Sequence, residues 1–321
     1  MALLLTEQQV RTLLPMADLI DAMEQALTAF STGAVQQPVR TVVDVGPDKD
    51  FFGVMPAYVG GGSSSGLGEA LGAKLVTFFV TNTARGLPTH FATIVLLDPA
   101  TGRLDAILDG RYLTEARTAA VSAVSARWLA RPDSRHLAII GSGVQAHSHI
   151  EALRHVFTFD RVTAWSPTRS KLDEFCAVSG AVAASSAEDA VRGADIVAVV
   201  SAAREPVVMS EWIRNGTHVI AVGACRPTHR ELDGRLVARA RLIVDSRAGA
   251  LREAGDILIP IAEGLFDAAH IEAELGEGPR RRSTEEVTVF KSLGMAVEDV
   301  VAARLVYDRA RASGVGTEFA F

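Results

Sequence analysis

The spacing of apolar side chains divides the chain into stretches of different period. After a short apolar run at 2–5, Thr6 with Glu7 and Gln9 ahead of Val10 reads as a helix start, and helically spaced apolar residues from Asp18 carry a second helix to a stop near Gly33. Strand-like runs take over at 39–45, 71–79, 94–98 and 104–108, rich in β-branched or aromatic residues and broken by Gly, Pro and Asn. The first third is therefore expected to be a strand-rich α+β unit. Its segment 60–68, Gly-Gly-Gly-Ser-Ser-Ser-Gly-Leu-Gly, has no side chain able to anchor it and reads as a flexible surface loop, or as a linker. An Ala-rich helix follows over 113–129, with Thr114 as cap, Glu115 in the first turn and Pro132 beyond its end, placed to join two domains.

Beyond that helix, strands over 136–140, 161–165, 196–200, 219–222 and 242–245 alternate with helical stretches over 144–156, 168–178 and 232–240. Such alternation predicts a parallel sheet with helices on both faces. A last helix over 294–313 has no strand predicted after it and is expected to return to the first domain. The fold class is thus α/β, a doubly wound parallel Rossmann sheet plus an α+β domain.

Composition narrows the classes of function. The 321 residues are 48% apolar, enough for two cores, and 32 Lys and Arg against 38 Asp and Glu give a formal charge of −6. No global positive field is present to hold nucleic acid or an anionic membrane surface. Two cysteines, Cys176 and Cys225, lie outside any CxxC or Cys/His spacing, so neither a disulfide framework nor a zinc site is expected, and the reading is a reducing, cytoplasmic location. No apolar run approaches the roughly 18 residues that cross a bilayer, and the start of the chain has no secretory pattern. His147 and His149, two apart on a helix, point to different faces, and no metal is assigned.

The most informative short motif is Gly141-Ser142-Gly143-Val144-Gln145-Ala146, G-x-G-x-x-A, entered from the strand at 136–140 and followed by a helix. In that context Gly141 permits the tight turn, Gly143 lets a pyrophosphate approach the backbone and Ala146 allows helix to pack on strand, while free N–H groups and the helix dipole attract phosphate. Standing alone, the same glycines would fit an ordinary βα turn. In NAD-binding sheets a carboxylate usually closes the second strand; here that strand runs into Ser166, Pro167, Thr168 and Arg169, followed by Lys171. Hydroxyls and cations at this tip favour a 2′-phosphate, hence NADP, with NAD as the alternative and a solvated helix start as the bland reading. Ser201, just past the strand at 196–200, completes the cofactor-binding set.

The chain resembles the ornithine cyclodeaminase and mu-crystallin family, which includes archaeal-type alanine dehydrogenases and ketimine reductases. The likeness covers almost the whole chain. It is carried by Gly72-Ala73-Lys74-Leu75-Val76, Leu87-Pro88-Thr89, the run from Ile94 to Gly102, Asp109-Gly110-Arg111-Tyr112-Leu113-Thr114 and Arg117-Thr118-Ala119-Ala120, then the Gly141 turn, Arg230-Glu231-Leu232-Asp233 and Val289 to Ala296 ahead of Glu298-Asp299. The resemblance implies a substrate-binding and dimerisation domain over 1–116, completed by 295–321, around a Rossmann domain over 117–294. It also implies a homodimer, carboxylate binding by Arg40 and Arg117, and a catalytic lysine at Lys74. Read from the residues alone, Arg117 could instead serve interdomain ion pairs, and Lys74 could be an edge-strand lysine that blunts aggregation. A lysine buried beside two arginines should titrate low, near neutrality.

Cys225 is a departure that bears on the reaction. Cyclodeaminases and alanine dehydrogenases of this family carry an aspartate at that position, and a neutral thiol is a poor partner for the side-chain ammonium of ornithine. The expected activity is therefore NAD(P)-dependent interconversion of an L-amino acid and its 2-imino acid, in a cleft between the domains. Alternatives are ornithine cyclodeaminase, and a non-enzymatic crystallin-like protein that binds NADPH or a small ligand. His90 reads as structural or exposed, with a substrate-facing role as the alternative. Arg280-Arg281-Arg282 reads as a solvated loop, with phosphate contact as the alternative.

Overall fold

Two kinds of strand pattern correspond to two kinds of sheet in the computed structural model, which describes residues 1–46, 50–60 and 67–320. One unit comprises Met1–Arg117 with Met295–Phe321, the other Thr118–Gly294. The first begins with β1 (Ala2–Leu5) and α1 (Glu7–Leu13), whose start is a capping box: Gln9 N–H donates to Thr6 Oγ1, and Gln9 Oε1 accepts the Thr6 N–H at 2.9 Å. In α2 (Met16–Ser31), Leu19, Ile20, Met23 and Leu27 recur at helical spacing and are buried. Next come β2 (Val35–Gln36), β3 (Thr41–Val45), β4 (Asp50–Val59), β5 (Ala70–Phe78), β6 (His90–Leu97) and β7 (Leu104–Asp109).

Strands β4 to β7 are successive antiparallel neighbours. Lys74 pairs with Met55 and Ile94, and because side chains alternate across a strand, these three share one buried face with Gly72, Val76 and Leu96. Of the loop read at 60–68, positions 61–66 lie outside the described residues.

The joining helix α3 (Arg111–Leu129) starts at Arg111, not at 113, so Thr114 is not its cap and Glu115 lies past its first turn. The Thr114 hydroxyl donates to the Gly110 carbonyl at 2.7 Å, inside the helix, while Asp109 Oδ1 accepts the Arg111 N–H at 3.0 Å. A side-chain acceptor just outside the first turn explains the earlier start.

The second unit runs β8 (His136–Ile140), α4 (Val144–Arg154), β9 (Arg161–Trp165), α5 (Arg169–Ser179), β10 (Val182–Ala183), α6 (Ala187–Val191), β11 (Ile196–Val199), β12 (His218–Ala221), α7 (Gly234–Arg239), β13 (Arg241–Val244), α8 (Arg247–Glu253), α9 (Gly255–Ala262), β14 (Ile271–Glu274) and β15 (Thr288–Lys291). All its strand pairs are parallel, in the order β10-β9-β8-β11-β12-β15-β13-β14. The chain winds outward from β8 through β9 and β10, then restarts on the other side at β11, so the topological switch lies between β8 and β11. Val197, Val199, Val219, Ala221, Leu242 and Val244 fill one side of the central strands.

Of the three arginines read as a solvated loop, Arg280 and Arg281 are partly structural. Arg281 is half-buried and donates to the carbonyls of Leu129, Gly216, Ser283 and Glu286, and the Arg280 guanidinium lies 3.9 Å from the centre of the Trp128 ring. Carbonyls left unpaired at element ends need donors, and a five-donor guanidinium supplies several at once.

Helix α10 (Ala296–Ser313) returns to the first unit and packs on α2, β4, β5 and β6. A strand does follow it, contrary to expectation: β16 (Thr317–Phe319) pairs antiparallel with β1. Three residues are too few to show a period. No helix among the described residues is long and apolar enough to cross a membrane.

Candidate functional site

In the first unit, α10 brings two acids to the buried face of the sheet. Glu298 and Asp299 lie in its first turn, where the helix dipole favours negative charge, and the Val297 N–H donates to Gln37 Oε1 at 2.8 Å. Beneath it β5 carries Gly72, where a Cβ would clash with the Val95 carbonyl of the neighbouring strand and would meet Val300 of the helix at an ordinary contact distance of 3.5 Å. Lys74 Nζ then reaches Asp299 Oδ2 at 2.6 Å. From α3, Arg117 Nε contacts Asp299 Oδ1 at 2.8 Å and Nη1 contacts Glu298 Oε2 at 2.6 Å. All four side chains are buried, Lys74 to 2% exposure.

The ion pairs of Arg117 with Glu298 and Asp299 lie within the first unit. Lys74 is not an edge-strand lysine, since β5 is flanked by β4 and β6. Burial lowers the Lys74 ammonium, Asp299 opposes this, and the charges of Arg117 and Arg40 add to the fall, bringing it to about 8. Burial acts to raise Asp299, but Arg117 and Lys74 outweigh it and hold the carboxyl below its ordinary range. Arg40, half-buried just before β3, is near enough to act on Lys74. Three cations, Lys74, Arg117 and Arg40, thus act in the neighbourhood of Glu298 and Asp299. His90, at the start of β6, is lowered to about 4 by burial, with Lys74 and Arg117 adding, so it is a neutral ring at pH 7. Glu298 and Asp299 are not legible as site residues in the sequence, because acids in a first helical turn have a sufficient local reason to be there.

In the second unit the glycine turn sits at the switch point. Gly141 has φ +130°, its N–H donates to the Trp165 carbonyl at 2.8 Å, and a Cβ on it would lie 2.7 Å from the Val200 carbonyl. Gly143 precedes α4 with no side-chain cap, and a Cβ there would meet nothing within 4 Å. Val144 is 50% exposed, Ala146 is fully buried against the sheet, and Gln145 Oε1 is buried with no hydrogen-bond partner among the described residues. Open space, uncapped N–H groups and an orphaned acceptor suit a pyrophosphate and its sugars. Ser142 Oγ donates to Ser166 Oγ at 3.0 Å, which joins the turn to the tip of β9.

At that tip Thr168 precedes α5 without a side-chain cap bond, and Lys171 is exposed. Arg169 is exposed and paired with Asp173 at 2.9 Å, one turn along the same helix. Ser201 follows β11. Cys225 lies in the loop after β12 and is exposed. His149 is buried and shares a 2.9 Å hydrogen bond with Ser122 Oγ, while His147 is exposed, so the two do face apart.

A glycine turn at the switch point of a parallel doubly wound sheet, beside a separate α+β unit, defines the class as a two-unit Rossmann protein. A family model described as ornithine cyclodeaminase/mu-crystallin matches residues 1–314, and the chain belongs to that family. Ketimine reductase mu-crystallin of Rattus norvegicus is 47% identical over 298 residues, 90% of this chain and 91% of that one. Among solved structures, a Thermococcus litoralis Delta(1)-pyrroline-2-carboxylate reductase in complex with NADH and L-proline is similar with TM-score 0.92 and 37% identity, covering 99% of this chain and 100% of that one. An archaeal alanine dehydrogenase dimer with bound NAD has TM-score 0.92 and 32% identity, covering 100% and 99%.

Proposed function

We propose that the chain is a nicotinamide-dependent oxidoreductase that interconverts an L-amino acid and its 2-imino acid, with NADPH as the preferred cofactor and a cyclic or open 2-imino acid as the substrate to be reduced. The observation that carries this reading is Lys74, a buried ammonium brought to about 8 and paired with Asp299, whose other oxygen holds Arg117. A group tuned toward the working pH can give up a proton and take it back. The relatives reported above, reductases and dehydrogenases of imino and amino acids, support the same chemistry.

The roles follow from charge. The cations of the cluster attract the substrate carboxylate, and the guanidinium planes of Arg40 and Arg117 suit its two oxygens. Lys74 gives its proton to the imine nitrogen, and Asp299 keeps the ammonium charged until then. Surroundings that exclude water strengthen both interactions. Gly141, Ser142, Gly143, Val144 and Gln145 would hold the pyrophosphate, Ser166, Thr168, Arg169 and Lys171 the ribose 2′-phosphate, and Ser201 the nicotinamide end. When bound, the reduced nicotinamide supplies hydride to the imine carbon. The Arg169–Asp173 pair is a surface pair of small worth, so a phosphate dianion can draw the guanidinium away from it.

A homodimer is part of the proposal. The face of the first sheet opposite Lys74 presents Val54, Leu75, Pro56, Ala73, Val95, Ile107 and Phe91 in facing rows, with Leu75 36% and Phe91 44% exposed. A second copy of this chain is the proposed cover. The test of the activity is net consumption of NADPH by purified protein across a panel of cyclic and open-chain imino acids. Consumption with an L-amino acid as product supports the reading. Proline and ammonia from ornithine without net cofactor turnover would put the cyclodeaminase in its place.

A further inference from the structure

In a doubly wound sheet a dinucleotide lies over the carboxyl ends of the strands, so its reactive end falls beyond the switch point. Here those ends belong to β11, β12 and β15, and around them runs an ion network whose charged members, Glu231, Asp256 and Lys291, the function proposed above does not use. Glu231 is fully buried, and its carboxylate spans two loops. Oε1 accepts the Ser201 N–H and the Ser201 hydroxyl, both at 2.7 Å, from the loop after β11. Oε2 accepts the Gly223 N–H at 2.6 Å and the Ala224 N–H at 3.0 Å, from the loop after β12.

Glu231 is itself held in place. Asp256, at the start of α9, accepts the N–H groups of Glu231 and Leu232 on Oδ1 at 2.7 and 3.0 Å, and its Oδ2 lies 2.9 Å from Lys291 Nζ at the end of β15. Asp256 and Lys291 are also buried. Two glycines make the close approach: a Cβ at Gly223 would strike the Ser201 carbonyl and the Glu231 carboxylate, and one at Gly255 would strike the carbonyls of Arg226 and His229. Burial raises the Glu231 carboxyl, and the Lys291 ammonium is the largest influence against that rise.

Two carboxylates and one ammonium make a costly way to fill an interior, since apolar side chains of similar volume often serve stability as well or better. What apolar residues cannot do is accept four hydrogen bonds from two separate loops. Glutamine cannot do it either, because its NH2 group would face donors on one side. We propose that Glu231, backed by Asp256 and Lys291, is a positioning residue that locks the loops after β11 and β12 to each other and thereby shapes the seat for the nicotinamide end of the dinucleotide. This rests on the dinucleotide reading of the second unit given above.

The experiment compares two ligands on wild type and Glu231→Gln: NADPH, and 2′-phospho-ADP-ribose, which keeps the adenine end and the pyrophosphate but lacks nicotinamide. The variant should bind the fragment within about twofold of wild type, because the Gly141 turn is untouched. Its NADPH affinity should fall about 10- to 100-fold, the range for breaking hydrogen bonds to a charged group. Equal weakening of both ligands, or of neither, overturns the inference while leaving the cofactor reading intact. A wild type that binds neither ligand overturns the cofactor reading, and the inference with it. Should Glu231→Gln fail to fold, Glu231→Asp decides the matter, because its carboxylate, shorter by one methylene, cannot reach both loops at once: the same split in smaller measure supports the lock, and no split overturns it.

Discussion

Lys74 is legible in the sequence because a lysine in a run of apolar strand residues is costly unless it has a partner. The partner is not legible, since Asp299 lies 225 positions along the chain and only the packing of α10 on β5 brings them together. The pair makes a prediction about pH. As a proton donor Lys74 must be charged, so imine reduction should fall as pH rises through about 8 and stay level just below it. Asp299→Asn removes the influence that holds Lys74 up, so the ammonium drops further and the alkaline limb should move to lower pH. The profile of kcat/KM against pH for wild type and variant checks this, read well below the melting temperature because breaking a buried pair costs about 3–5 kcal/mol. An unmoved limb would detach Asp299 from the proton. Lys74→Met should lower turnover about a hundredfold or more while cofactor affinity stays unchanged.

Elements with a strong period or a turn motif are those the sequence discloses. The strand at His136–Ile140, the glycine turn and α4 follow from apolar run, glycines and helical spacing in direct succession. By contrast β15 ends in the buried Lys291, α9 contains Pro260, and β14 and β16 span four and three residues, so none carries a pattern that a window can read. The start of α5 is the element whose chemistry is most open to test. Arg169→Glu places an anion where the 2′-phosphate is proposed to sit, so NADPH binding should weaken far more than NADH binding. Fluorescence titration with both cofactors measures the ratio; equal weakening would refute the proposed phosphate contact.

At the scale of the whole molecule the sequence shows two units of different strand chemistry, and the return of the last helix to the first unit is what delivers Glu298 and Asp299 to Lys74. The opposite face of that sheet carries the partly exposed Leu75 and Phe91, and it sets the prediction about assembly. Leu75→Glu combined with Phe91→Asp puts two charges on it, at positions partly open in the single chain, and should convert a dimer to monomers in sedimentation with little loss of monomer fold. A chain that sediments as a monomer before mutation contradicts the second copy. The central claim, reduction of an imino acid, is tested most directly by following the hydride itself. NADPH carrying deuterium at its transferable position is incubated with the protein and a cyclic 2-imino acid, and the amino acid formed is examined by mass spectrometry and proton NMR. The account predicts one deuterium at Cα of an L-amino acid for each NADPH oxidised; a product without deuterium, or no net oxidation of NADPH with any imino acid, would contradict it.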